Sequence, residues 1–218
     1  MPNVNQQLDA PAVPTLASSS NSYSQDLQNQ NNSVTRTFFT KLINVVSNIV
    51  GRKGGRYLNN PYGAFQDSTD QVAANTTTAY AITFDTTDFS NGVTMASGSR
   101  ITVVDSGIWN CQFSIQLKNT TNDGQDVDIW FRKNGTNIAN SNSRFHPPPR
   151  KSAGDPSHII ASLNFFVEMA ANDYIEIMWR TENTGVSIEH FGTSTSPTRP
   201  AVPSAIVTMS FVSNLPTI

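Results

Sequence analysis

Residues 99–119 read SRITVVDSGIWNCQFSIQLKN, and residues 125–135 read QDVDIWFRKNG. In the first stretch apolar residues alternate with polar ones through Ile101 and Val103, then Ile108, Phe113, Ile115 and Leu117. In the second they alternate through Val127, Ile129 and Phe131. A period of two marks strands with one buried face and one wet face. Asp105–Ser106–Gly107 interrupts the first run as a turn, and Asn134–Gly135 closes a hairpin. Function is therefore to be sought on a β scaffold, not on a nucleotide-binding α/β one.

Working outward, the region from residue 64 onward reads as β throughout. Expected strands are Thr78–Phe84, Ser99–Val104, Gly107–Lys118, Asp126–Arg132, Asn137–Ser141, Ile159–Met169, Asp173–Arg180, Val186–His190 and Ala201–Val212. Turns are expected at Asn91–Gly92, Gly98, Asn134–Gly135, Ala171–Asn172–Asp173 and Thr184–Gly185. Strands of this number and length predict an all-β, two-sheet sandwich of jelly-roll type.

The N-terminal part differs. Residues 1–32 are rich in Asn, Gln, Ser, Ala and Pro and predict a polar extended arm that cannot fold alone. Ser33 is a candidate helix N-cap and Gly51 a stop. Between them Val34, Phe38, Leu42, Val45 and Ile49 share one helical face, widened by Phe39, Ile43, Val46 and Val50. So broad a stripe on one short amphipathic α-helix needs a partner, so these residues are the expected anchor or assembly surface. Gly51–Gly63 (GRKGGRYLNNPYG) reads as a Gly-rich linker, and it lacks the GxxxxGK[ST] pattern of a phosphate loop. The expected organisation is arm 1–32, helix and linker 33–63, and β head 64–218.

Composition narrows the chemistry. The chain has 218 residues, only 14% of them charged, with net charge −2. Without clustered Lys and Arg, nucleic acid is not an expected partner. No apolar run is long enough to cross a bilayer, so membrane insertion is not expected. The start MPNVNQQLDAP lacks a basic stretch followed by an apolar core, which predicts no signal peptide and synthesis in the cytoplasm. The single cysteine, Cys111, lies mid-strand and reads as a buried, inert thiol. Asp123, Asp126 and Asp128 cluster near a turn but fall short of a calcium loop's ligand set, and solvated acids are the plainer reading. His146, His158 and His190 build no Ser–His–Asp arrangement, and neither GxSxG nor HExxH occurs. Neither an enzyme activity nor a cofactor is expected.

Two surfaces stand out. The loop NSRFHPPPRKSAGD (142–155) is long for a sandwich connection, so Phe145, His146, Arg150 and Lys151 form a candidate receptor loop. Trp130 falls on the nominally polar face of its strand, and Met178 on the face opposite Ile175, Ile177 and Trp179. Phe165 and Phe166 are adjacent and must point opposite ways. Large apolar residues on a second sheet face suggest a domain covered on both sides. Trp130, Phe165, Met178 and Phe211 are accordingly the expected contacts between copies of a homo-oligomer, which the resemblance below makes a trimer.

GIWNCQFSIQLKN (107–119) followed by VDIWFRKNGTNIANS (127–141) resembles the core of the C1q/tumour-necrosis-factor-like family. NDYIEIMW (172–179) and AIVTMSFV (205–212) are similar to its later strands, with Asn172–Asp173 where Gly–Asp is usual. This resemblance covers roughly residues 71–213 and implies a ten-stranded jelly roll forming a homotrimer. RYLNNPYGAFQDSTDQ (56–71), NTTTAYAITFDTTDFSNGV (75–93), WFRKNGTNIANSNSRF (130–145) and TSPTRPAVPSAIVTM (195–209) resemble small structural proteins of marine tailed phages, especially those infecting cyanobacteria. That resemblance implies a virion location, as a head decoration, short fibre or tail fibre knob. Other virion proteins, of the capsid or tail, would meet the N-terminal region, and the head would contact a host-surface glycan. The alternative from the residues is a carbohydrate-binding adhesin module not tied to a virion.

Overall fold

The structure is a computed structural model that describes residues 12–18, 22–50 and 60–213. The chain divides into two compact units, Met1–Asn59 and Asn60–Ile218.

In the first unit, helix α1 spans Gln25–Val50. It starts eight residues before the expected cap, so residues 25–32 are helical rather than part of an extended arm. Ser24 is the N-cap, its Oγ accepting from the Leu27 N–H at 3.3 Å, and Asp26 lies in the first turn. Both features favour a helix start, and neither Gly nor Pro interrupts residues 25–50. Ser33 lies inside the helix, where its carbonyl accepts from Thr37 Oγ1 at 2.9 Å. The segment 12–18 is held to the helix by a reciprocal pair: the Ala17 N–H donates to Asn31 Oδ1 at 3.0 Å, and Asn31 Nδ2 donates to the Ala17 carbonyl at 3.3 Å. Residues 51–59 of the expected linker lie outside the described residues.

The second unit contains strands β1 (Tyr62–Asp67), β2 (Gln71–Val72), β3 (Tyr80–Ala81), β4 (Thr86–Asn91), β5 (Val93–Ala96), β6 (Arg100–Val103), β7 (Gly107–Asn119) and β8 (Val127–Lys133). It continues through β9 (Thr136–Asn137), β10 (Ser143–Phe145), β11 (Ser157–Met169), β12 (Tyr174–Thr181), β13 (Val186–Ile188), β14 (Ser194–Thr195), β15 (Thr198–Arg199) and β16 (Ala205–Ser213). All pairings are antiparallel. The mostly-β sandwich expected from the alternation is present. Among the described residues α1 is the one helix.

The first sheet runs β4-β1-β16-β7-β11, and β13 with β2 extends it beyond the end of β16. Strand β7 pairs with β11 over its whole length, from Gly107↔Met169 to Asn119↔Ser157. The second sheet runs β5-β6-β12-β8-β10, with β3 beside β12 and β9 beside β8. Strand β1 begins inside the expected linker, β4 has a sequence that does not alternate, and β5, Val-Thr-Met-Ala, is too short for its alternation to stand out. The chain passes from the first sheet to the second at Gly92, whose φ is 66°. Asn134 and Gly135, at φ 48° and 80°, make the expected tight hairpin turn between β8 and β9.

The core lies between the sheets. From the first come Phe65, Trp109, Phe113, Ile115 and Leu117, and from the second Ile101, Val127, Ile129, Phe131, Ile177 and Trp179. Trp109, not Ile108, keeps phase with Phe113 and faces inward. Cys111 is fully buried in this core, and burial pushes its thiol pKa up to about 12.

Candidate functional site

On α1, Val34, Phe38, Leu42 and Val45 are half-buried, while Phe39, Ile43 and Val46 are exposed. Ala12, Val13 and Pro14 line a groove with Val34 and Phe38, so the arm segment covers part of the stripe. The side chain of Ile49 lies outside the described residues. No described helix is long and apolar enough to cross a membrane.

Two of the four expected trimer contacts face the core instead. Phe165 stacks on Phe131, ring centroids 4.8 Å apart, and Phe211 meets Trp109 edge-on at 5.4 Å. The alternation of β11 carries the reason. Ile159, Leu163, Phe165, Val167 and Met169 share a phase, whereas Phe166 shares its phase with Ser162, Asn164 and Glu168. The same phase argument places Val207, Met209 and Phe211 together on β16. Exposed apolar residues of the first sheet include Phe166 (58% exposed), Ile160 (61%) and Ile206 (38%), with Val72 of β2 and Val212 of β16. Tyr62 and Phe89, also exposed, meet edge-on on its β1–β4 side.

Trp130 and Met178 lie as expected on the outer face of the second sheet. They are register partners, and Met178 is buried between Trp130 of β8 and Ala81 of β3. The chain's own side chains thus cover Met178. Above and below the pair run two rows of ions. Asp128 stands opposite Arg180 and Arg144; it accepts from Arg180 Nε at 2.9 Å and from Arg144 Nε at 2.9 Å. Glu176 stands opposite Arg132, accepts from its Nε at 2.9 Å and takes a further bond from Ser99 Oγ at 2.9 Å. The bonded Arg144 holds the Asp128 carboxyl below the ordinary carboxylate range, outweighing burial, and the charges of Arg144 and Arg180 add to the lowering. A carboxylate so held is a poor proton donor near neutrality.

Beside the Asp128 row a groove of about 320 Å³ opens, lined by Asp128, Trp130, Asn137, Asn140, Asn142 and Arg180. Trp130 Nε1 donates to Asn137 Oδ1 at 2.9 Å, which fixes the indole. The 138–141 turn beneath is tied to β8 by the buried Ser141, whose Oγ accepts from the Phe131 N–H at 3.1 Å. The alternation of β8 marks Trp130 but not its neighbours in this groove. The spacings Asp128-x-Trp130-x-Arg132 and Glu176-x-Met178-x-Arg180 were a signal, because antiparallel pairing sets each acid against a base.

The candidate receptor loop is strapped down over much of its length. Phe145 packs on the core. His146 is exposed and bonds Asp126 Oδ1 through Nδ1 at 2.7 Å; its ring lies so close to Gly124 that a Cβ there would sit 2.2 Å from Nε2. Arg150 Nε donates to Asn122 Oδ1 at 2.9 Å. Lys151 extends into solvent beside Asp155. Asp126 and Asp128 are both bound to Arg144, and among the described residues no cluster of three or more His, Cys, Asp or Glu could hold a metal ion. No protein-family model matches the chain, and no curated protein matches it.

Proposed function

We propose that this chain is a short trimeric surface appendage of a tailed-phage virion, a head decoration, fibre or tail fibre knob. Its N-terminal unit anchors it to capsid or tail proteins, and its β unit is a C1q-like jelly-roll head exposed to the host surface. The role is structural rather than enzymatic. The two antiparallel sheets, with the unit's first strand β1 and last long strand β16 paired as neighbours, support the jelly-roll reading.

The observation that carries the trimer is the outer face of the first sheet. Ile160, Phe166 and Ile206 stand out from it among Ser, Asn, Gln and Thr, while the charged Lys118, His158 and Glu189 gather at its β13 end. Contact between copies through this face removes that apolar area from water at about 25 cal/mol per Å². It also leaves the Trp130 groove open, so we assign Trp130 and Met178 away from the trimer contact. The exposed Phe39, Ile43 and Val46 support the anchor role of α1.

Light scattering of the full chain tests the trimer, with three times the 23.8 kDa chain mass expected. A monomer at micromolar concentration overturns it. Deleting residues 1–50 is expected to leave a folded β unit that no longer joins particles. Particles that still incorporate the truncated chain overturn the anchor.

A further inference from the structure

The groove beside Trp130 has a composition that the ion rows around it do not require. Of the three tryptophans, Trp109 and Trp179 are fully buried, and only Trp130 reaches solvent. Its N–H is already spent on Asn137, so what it offers a ligand is the apolar indole surface. Around it stand exposed side-chain amides at Asn137, Asn140 and Asn142. Among the described residues the Asn140 side chain and the Asn137 Nδ2 bond nothing else. An amide both donates and accepts, so it matches a hydroxyl in either role. Asn140 sits at φ 61°, a left-handed conformation that holds its side chain at the tip of a turn tied to the core.

Charge selects among ligands. The Asp128 carboxylate is neutralised by Arg144 and Arg180, and Asp126 and Glu182 lie against the same two arginines. The rim therefore holds no surplus cation for a phosphate, sulfate or sialyl carboxylate. What remains is one aromatic surface flanked by groups that both donate and accept. A pyranose ring presents the complement: a face of C–H groups and a rim of hydroxyls. The volume, about 320 Å³, lies at the small end of the range for small-molecule sites.

We propose that this groove binds neutral hexopyranose units of a surface polysaccharide, with the sugar's C–H face on Trp130 and its hydroxyls bonded to Asn137, Asn140 and Arg180. The inference rests on the surface-appendage reading for its biological meaning, since it makes the β unit the part that meets the host. The two fail separately, because that reading is tested by mass and particle incorporation and this one by binding. Linked copies on a particle gain avidity over a single site by about 10²–10⁴.

The test is titration of the full chain with the methyl glycosides of glucose, galactose and mannose, and with their trisaccharides. A saturable change in tryptophan emission from at least one series is expected, and it reports Trp130 because the other two indoles are buried. Calorimetry with the same saccharide is expected to show at least tenfold weaker binding for Trp130→Ala and for Asn140→Gly. The glycine keeps the positive φ while removing the amide, so it guards against loss of fold in the first variant. No saturable change with any of these sugars overturns the proposal. So does binding that survives both substitutions, binding of sialyllactose or glucose 6-phosphate in preference to the neutral sugars, or occlusion of Trp130 by a second copy.

Discussion

The side-chain amide of Asn119 donates to the main-chain carbonyl of Pro148 at 2.9 Å, joining the end of β7 to the middle of the 142–155 loop. The same nitrogen reaches the carbonyls of Asp123 at 2.8 Å and Pro147 at 3.3 Å, and Asn119 Oδ1 accepts from the Thr121 N–H at 2.8 Å. Asn119 is fully buried, so its replacement removes the amide that ties three loop carbonyls together and leaves the Thr121 N–H without its acceptor. Asn119→Ala is expected to cost about 1–3 kcal/mol in denaturant unfolding. It is also expected to expose the bonds around Arg150 and Lys151 to trypsin in the native protein. A loop that stays resistant would show that the prolines alone hold it.

Phe131 and Phe166 offer a contrast between core and surface. Phe131 is fully buried and touches the rings of Phe113 and Phe165. Phe131→Ala is expected to cost about 3–5 kcal/mol in chemical unfolding, from lost burial and the cavity left behind.

Phe166→Glu is expected to leave each copy folded while reducing the light-scattering mass from three times to one times 23.8 kDa. A charge at the centre of an apolar contact between copies is desolvated without a partner. An unchanged mass would place the contact elsewhere.

Acid should weaken the β unit through three lowered aspartates. Arg144 lowers Asp128 against the opposing effect of burial. For Asp173 burial raises the pKa, but bonds from the Asn134 amide and the Ala170 N–H, with the charge of Lys133, lower it further. The Ser68 hydroxyl bond lowers Asp85. In the unfolded chain each titrates at about 3.9. Because the folded values lie lower, their stabilisation is complete above about pH 4 and is lost as pH falls through the folded values. The expected result is a Tm nearly flat from pH 7 to 5 that drops below pH 4. Asp128→Asn should lower Tm at pH 7 and make the acid drop shallower; a parallel curve would remove Asp128 from the account.

Cys111, with its thiol pushed up to about 12 by burial, is expected to resist a thiol-reactive disulfide reagent in the native protein. Full reaction should appear on addition of denaturant, and rapid native labelling would contradict its placement in the core.

The periodicity of residues 99–135 was enough to read β7 and β8, the Asn134–Gly135 turn, the inward face of Val127, Ile129 and Phe131, and the outward placement of Trp130. Each of these is local, because alternation and a positive-φ turn are properties of neighbouring residues. The helix start was also readable, from Ser24, Asp26 and the absence of Gly and Pro up to residue 50, but the density of Asn and Gln concealed it. The side of β11 on which Phe165 lies could have been taken from the companions in its phase.

Neighbouring residues suffice to show which positions alternate, where the chain turns and how little charge it carries. What lies opposite what is settled only when the strands assemble. Asp128 meets Arg180 across 52 residues, and Glu176 meets Arg132 across 44. Trp130 meets Met178 because β8 and β12 pair in one register out of many. A slip of one residue would turn every side chain of a strand to the other face, and the choice of register is made by the whole core at once. That is why the strands could be read from neighbouring residues, whereas the groove beside Trp130 required all of its surrounding strands in place.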